Sequence, residues 1–267
     1  MNNSLNINRR KRALITGASS GIGESFAKVY AEKGYDLVLV ARREDRLKSV
    51  ASKLNKQHGV SSEIVIADLS LAESPQHIFN HLSDLNIEVD AIVNNAGYAL
   101  ARPFSDTSWE EQLALINVTM VSLTQLCHLF IPQMKKRNAG EIINVASISA
   151  YAPELPGNLY NAVKSFVVHM SEALDMELKP HGVNCLALCP GLTDSEFHET
   201  MGIRQALNFI PKWRWMSSYT VASQGYEAVT RGDSICINGR LNRSLVQLFG
   251  IMPNRLKYYM GKKGIIL

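Results

Sequence analysis

Thr16-Gly17-Ala18-Ser19-Ser20-Gly21-Ile22-Gly23 closes a short apolar run, residues 12–16, and opens a segment carrying Phe26, Val29 and Tyr30 at helical spacing. Three glycines between a strand and a helix allow a tight turn and a close backbone approach to a bound group. The helix that follows offers free N–H groups and the positive end of its dipole, which suits a pyrophosphate. Ser19 and Ser20 add hydroxyl donors. The spacing is GxxxGxG, not the commoner GxGxxG, so a bare strand-to-helix turn without a ligand is the competing reading.

Outward from this turn the pattern repeats. Helical stretches are expected at residues 21–34, 44–58, 74–85, 109–136, 159–179 and 218–230, the last with Ser218 as N-cap. Strands are expected at 12–16, 36–41, 63–67, 89–94, 141–146, 183–188 and 234–237. The unbroken run Leu37-Val38-Leu39-Val40 suits a parallel strand covered on both faces. Alternating strands and helices predict an α/β fold: a doubly wound, Rossmann-like parallel sheet of about seven strands with helices on both faces. Right-handed crossovers then bring the ligand-binding strand ends to one edge. Pro132 continues or kinks the long fourth helix.

The 267 residues suit one domain, 1–267, and 46% hydrophobic content is enough for a sizeable core. Net charge is +4, 28 basic less 24 acidic side chains. Basic residues gather near the ends, but no basic stripe interleaves with aromatics, so nucleic acid is not an expected partner. Cys127, Cys185, Cys189 and Cys236 form no CxxC pair and read as free thiols of a reducing cytoplasm. Residues 1–9 are polar and read as a disordered N-terminus. No signal segment and no apolar run of about 18 residues is apparent. His77 and His81 share a helix face, where solvation is favoured over a metal site.

About 20 residues beyond the glycines, an acidic residue would bind a ribose 2′-hydroxyl. Here the second strand ends in Ala41-Arg42-Arg43. Arginines attract a 2′-phosphate that a carboxylate would repel, so NADP(H) is expected over NAD(H); the bland alternative is solvated surface charge.

Tyr160 and Lys164 stand at i and i+4 of one helix and share a face, and Ser147 ends a strand thirteen residues ahead of Tyr160. An ammonium beside a phenol stabilises the phenolate and makes its proton transferable nearer neutral pH. Ser147 is placed to hold a substrate oxygen. Together they suggest an acid/base site for a carbonyl/alcohol pair.

These segments resemble the short-chain dehydrogenase/reductase family over most of the chain. The turn 16–23 looks like its TGxxxGxG motif, Asn94-Asn95-Ala96-Gly97 like its NNAG segment, and Pro190-Gly191 like its PG turn; Asn117, Ser147, Tyr160 and Lys164 fall where the family keeps Asn, Ser, Tyr and Lys. The resemblance implies Tyr160 as general acid and base, and Lys164 on the nicotinamide ribose. It implies Ser147 polarising the carbonyl, and Asn117 distorting the long helix and holding a relay water. It also implies NADP(H) contacts from Gly17, Ser19, Ser20, Gly21, Ile22, Gly23, Arg42, Arg43, Asp68, Leu69, Asn94, Ala96, Gly97, Pro190, Gly191, Leu192, Thr193 and Ser195. From the residues alone, Asn117 bonded to a nearby carbonyl, Asn94 tying central strands together and Asp68 capping a helix remain open.

Residues 191–217 break the rhythm, contain Phe197, Phe209, Trp213 and Trp215, and read as a substrate-lid insertion. The lid's apolar content suggests an apolar or acyl-bearing carbonyl compound as the small-molecule substrate. The tail 239–267 resembles that of family members such as 3-oxoacyl reductases; it is expected to close the active site or pack on a neighbouring subunit, and membrane contact ranks last. The resemblance further implies a homodimer or homotetramer. The functional expectation is an NADP(H)-dependent carbonyl/alcohol oxidoreductase; the alternative is a catalytically silent NADP(H)-binding sensor or scaffold.

Overall fold

The computed structural model describes residues 9–154, 159–197 and 210–264. Seven strands form one sheet: β1 (Arg12–Thr16), β2 (Asp36–Ala41), β3 (Ser62–Ile66), β4 (Ala91–Asn94), β5 (Gly140–Val145), β6 (Val183–Cys189) and β9 (Ile235–Ile237). Their order is β3-β2-β1-β4-β5-β6-β9, and every neighbouring pair is parallel. The chain winds outward from β1 through β2 to β3, then returns to start β4 on the other side of β1. That reversal makes the β1/β4 junction the switch point, and all carboxyl ends share one edge. Helices α1 (Gly21–Glu32), α2 (Glu44–His58), α3 (Ser74–Asp84), α4 (Trp109–Ile116), α5 (Ser122–Arg137), α6 (Tyr160–Leu178) and α7 (Ser218–Arg231) supply the crossovers.

Strand β2 shows why the unbroken apolar run is needed. Leu37 and Leu39 face a core layer built with Phe26 and Tyr30 of α1, Leu47 of α2 and Val221 of α7. Val38 and Val40 face the opposite layer, with Ile78 of α3, Phe130 of α5 and Val167 of α6. Strand side chains alternate between faces, so a strand covered on both sides must be apolar at every position. Each such buried side chain contributes roughly 1.5–3 kcal/mol relative to exposure.

Polar groups also enter this core. Asn94 Nδ2 donates to Asn144 Oδ1 at 2.8 Å, and Asn144 Nδ2 donates to Ser171 Oγ at 3.0 Å. Ser171 Oγ in turn donates to Val167 O at 2.6 Å. This chain of bonds ties β4, β5 and α6 at fixed register, since buried polar groups are costly without partners.

The long helical region is not uniform. Between α4 and α5, residues Asn117–Val121 form a π-helical turn. Pro132 lies inside α5, which continues unbroken to Arg137. Taken as a 29-residue stretch, Trp109–Arg137 is long and apolar enough to cross a bilayer, which corrects the expectation of no such run. Its apolar side chains Leu115, Leu123, Leu126, Phe130 and Met134 are buried in the fold. The N-cap of α7 is Ser217, whose side chain accepts from Thr220 N, so the cap expected at Ser218 falls one residue earlier.

Residues 1–8 of the expected disordered terminus lie outside the described residues. Arg9 is held by a two-bond fork to Asp90, both bonds 2.7 Å. Of the lid interval 191–217, residues 198–209 lie outside the described residues. The flanks of that interval pair as a two-stranded parallel ladder, β7 (Thr193–Asp194) with β8 (Met216–Ser217), where no strand was expected. Helices α8 (Arg240–Ile251) and α9 (Asn254–Lys262) form the tail. His81 pairs with Glu63 at 2.8 Å, a structural contact on the α3 face.

Candidate active site

The glycine turn sits at the end of β1, and its neighbours explain its glycines. Gly17 and Gly21 have φ of +64° and +59°, in the left-handed region that favours glycine. A Cβ on Gly23 would stand 2.2 Å from Gly17 O and 2.6 Å from Asn95 Nδ2, so α1 and the turn approach too closely for any side chain there. Thr16 Oγ1 accepts from Asn95 N (2.9 Å) and Ala96 N (3.0 Å), and Asn95 Nδ2 donates to Thr16 O at 2.9 Å. These bonds strap β4's loop onto the turn across the switch point. Ser20, at the N-cap of α1, makes no side-chain capping bond. The Ser20 side chain thus leaves the first N–H groups of the helix available to an anion. Ile22 packs against the core beneath.

Two arginines follow β2. Arg43 donates from Nη2 to Ser19 Oγ (3.1 Å) and Ser20 Oγ (2.8 Å), which fixes its guanidinium beside the turn. Its Nη1 donates to Glu196 Oε2 at 3.0 Å, and Arg46 Nη1 donates to Glu196 Oε1 at 3.3 Å. The hydrogen bond from Arg43 is the main influence holding the Glu196 carboxyl below its ordinary range. Arg42 approaches Asp68 Oδ2 at 3.6 Å. Asp68 Oδ1 accepts from Ser70 N (3.0 Å) and Ser70 Oγ (2.8 Å). Burial raises the Asp68 carboxyl, yet the Ser70 bonds and Arg42 outweigh it, and the net shift is downward. The glycine cradle, open helix terminus and arginine pair fit a phosphorylated dinucleotide.

At β5 and α6 the second cluster forms. Ser147 follows β5 and caps a 3-10 turn, Ile148–Tyr151, its Oγ accepting from Ser149 N at 3.1 Å. Tyr160 is the first residue of α6, and the Ser147 side chain acts on its phenol, favouring the phenolate. Lys164, one turn further, is buried, donates from Nζ to Val145 O at 2.7 Å and lies 5.6 Å from the Tyr160 ring centroid. Burial pulls the Lys164 ammonium down to about 8. Burial also pushes the Tyr160 phenol up to about 12, with the Ser147 side chain acting in the opposite sense. The expectation of a phenol depressed by Lys164 is corrected here: the ammonium is bonded to a backbone carbonyl, and desolvation of the phenolate dominates. Phe197, at the start of the lid interval, tilts over Tyr160 with ring centroids 5.8 Å apart.

The clusters meet along the sheet's carboxyl edge. A Cβ on Gly97 would lie 3.8 Å from Lys164 Nζ and 3.5 Å from Thr119 Cγ2, so the loop after β4 passes beside the lysine. After β6, Pro190 O accepts from Ile148 N at 3.0 Å, Gly191 is backed by the Asn242 side chain, and Leu192 O accepts from Met216 N at 2.9 Å. Thr193 Oγ1 donates to Gly191 O at 3.0 Å, while Ser195 stands against Gly21, whose Cβ would be 3.1 Å from that of Ser195.

Three expected site residues have other duties. Asn94 is buried and holds β4 to β5 through Asn144, away from the cleft. Leu69 is buried, and its carbonyl accepts from Ser122 Oγ at 2.8 Å. Asn117 stands at the π-helical turn, but its side chain donates to Ser70 O at 2.8 Å. Residues missing from the expected site are Thr16, Asn95, Arg46 and Glu196. Asn95 and Thr16 lay inside the NNAG and TGxxxGxG segments; Arg46 stands in the first turn of α2, three residues after Arg43, a readable signal. Glu196 carried none, because its contacts are more than 140 residues away in sequence.

Comparison with known proteins agrees with this geometry. The short chain dehydrogenase family model matches residues 11–205. An uncharacterized oxidoreductase of Staphylococcus epidermidis is 31% identical over 191 residues, 72% of this chain and 81% of that protein. The very-long-chain 3-oxoacyl-CoA reductase of Phaeosphaeria nodorum is 33% identical over 64% of this chain, which spans 52% of that relative. Among solved structures, a short-chain dehydrogenase from Sphingobium yanoikuyae in complex with NADPH superposes with TM-score 0.80 at 30% identity, covering 91% of this chain and 96% of the other.

Proposed function

The chain belongs to the short chain dehydrogenase family, and on that footing we propose that it interconverts a carbonyl and a secondary alcohol with NADP(H) as hydride carrier. The carrying observation is the buried Lys164 one helical turn from Tyr160, its Nζ 5.6 Å from the Tyr160 ring centroid, with Ser147 acting on the phenol, on the same sheet edge as the glycine turn.

Gly17, Gly21, Gly23, Ser19 and Ser20 would hold the pyrophosphate side, Arg42 and Arg43 the 2′-phosphate, and Lys164 with the loop 95–97 the inner ribose. The S. yanoikuyae structure with NADPH supports the same cofactor. When bound, NADP(H) supplies or accepts the hydride. Ser147 Oγ and Tyr160 Oη form a paired donor set for a substrate oxygen. In reduction, Tyr160 Oη gives its proton to the developing alkoxide, a far stronger base than a phenolate. A phenol held protonated by burial suits that direction. In oxidation the same oxygen takes the proton back. Lys164, brought to about 8 by burial, is an ammonium that can release a proton near neutral pH to restore the phenol.

Phe197 beside Tyr160, and the relative named as a 3-oxoacyl-CoA reductase, support an apolar or acyl-bearing carbonyl substrate. Exposed Trp109, Leu113 and Val121 on the α4–α5 region and Met176 on α6 support self-association through the long helices. Four free cysteines, three of them buried, support a reducing cytoplasmic setting.

The test is NADPH oxidation across a panel of ketones and aldehydes of increasing apolar size. Turnover that rises with acyl length supports the reading. NADPH binding without turnover of any member would favour a silent cofactor-binding protein.

A further inference from the structure

The two tail helices differ from the rest of the fold in how little they bury. Helix α8 fully buries Phe249 alone, and α9 buries Met260 and Gly261. Leu241, Leu248 and Ile251, on one stripe of α8, are 44%, 44% and 82% exposed. On α9, Leu256, Tyr258 and Tyr259 are exposed as well. Between Ser234 and Gly264 stand Arg240, Arg243, Arg255, Lys257, Lys262 and Lys263, with no aspartate or glutamate. None of the six makes an ion pair among the described residues. The pair is nevertheless firmly seated. Asn242 packs on Gly191, α8 touches the Ile148–Tyr151 turn, and a Cβ on Gly261 would meet Glu154 O at 2.0 Å.

We propose that the outer face of α8 and α9 docks on an anionic phospholipid bilayer. Leucine and isoleucine enter the acyl boundary, the tyrosines sit at headgroup level, and the arginines and lysines meet lipid phosphates. Charge selects this occupant over a second copy of the chain. Two identical faces in contact would set cations against cations without a compensating acid, and like charges oppose association. The sequence ranked a lipid contact last because periodicity does not reveal which face of α8 packs inward. Docking is a property of the tail and does not depend on the reaction assigned above.

The test is co-sedimentation of the full chain with vesicles of phosphatidylcholine alone or mixed with phosphatidylglycerol. At least about tenfold more bound protein is expected on the anionic vesicles, with binding falling as salt rises. Ile251→Asp with Tyr258→Asp, and separately Arg255→Glu with Lys262→Glu, should each abolish binding while turnover of a soluble ketone persists. Three results would overturn the proposal: no binding by the wild type, equal binding to both vesicle types, or binding retained by both folded variants. Dissociation of a wild-type oligomer by Ile251→Asp would likewise overturn it and assign the face to self-association.

Discussion

Arg43 and Glu196 are ion-paired at 3.0 Å, joining the start of α2 to the segment after β6 across the mouth of the glycine turn. The same guanidinium holds Ser19 and Ser20. A 2′-phosphate held by Arg43 would need those N–H groups, and Glu196 would then compete with it. Both side chains are partly exposed, which keeps the pair's worth near 0.2–1 kcal/mol. Glu196→Gln should tighten NADPH binding about twofold to fivefold and leave NADH unchanged, read by fluorescence titration. An unchanged NADPH/NADH ratio would mean the carboxylate and the phosphate do not share the arginine.

The two arginines should differ. Arg42 is 74% exposed at its side chain, with a 3.6 Å contact to Asp68, whereas Arg43 is anchored by two serines. A preorganised fork loses less entropy on binding an anion. Arg43→Ala is expected to weaken NADPH binding by at least about tenfold, more than Arg42→Ala. The reverse order would reject Arg43 as the principal phosphate ligand.

Tyr160→Phe removes the phenolic hydroxyl while keeping the ring against Phe197. Turnover should fall by roughly 10²–10⁴-fold, the usual worth of a positioned acid, with NADPH affinity little changed. Steady-state kinetics beside a binding titration separates the two. Activity within a few-fold of wild type would remove Tyr160 from the reaction.

Lys164 is lowered from its ordinary 10.5 to about 8 by burial. Between those values the unfolded chain binds more protons than the native one, so stability rises with pH across the window. The full cost of burying the ammonium is present below about 8 and gone above about 10.5. Relative to Lys164→Met, the wild type should therefore gain about 3 kcal/mol between pH 8 and 10.5, measured by denaturant unfolding at each pH. A stability difference that stays flat over this range would show that the ammonium is not desolvated.

Gly23 and Gly250 give opposite outcomes on the same substitution. A Cβ on Gly23 meets Gly17 O at 2.2 Å, whereas one on Gly250 meets nothing within 4 Å. Gly23→Ala should abolish cofactor binding and lower the melting temperature. Gly250→Ala, near the end of α8, should raise stability by up to about 1 kcal/mol. Tolerance of alanine at Gly23 would contradict the close approach of α1 to the turn.

Much of the fold was readable because it depends on local chemistry. Leu37–Val40 required a strand covered twice, and both core layers meet it. The Ser147, Tyr160 and Lys164 spacing required one helix face and one strand end, and these three do converge. The sequence left Asn94 open between a cofactor contact and a tie between the central strands, and gave Asn95 no role of its own. Successive strand residues point to opposite faces, and here the first turns into the core while the second reaches the glycine turn.

Sequence by itself determined the alternation of strands and helices, the glycine turn, and the serine, tyrosine and lysine that share an edge, because each rests on spacing within one element or across one short loop. Tertiary structure decided the rest. It set the phenol of Tyr160 above its ordinary value, engaged Arg43 with Glu196 and left the apolar stripe of α8 exposed. Those outcomes depend on burial and on contacts between distant segments, which spacing along the chain does not encode.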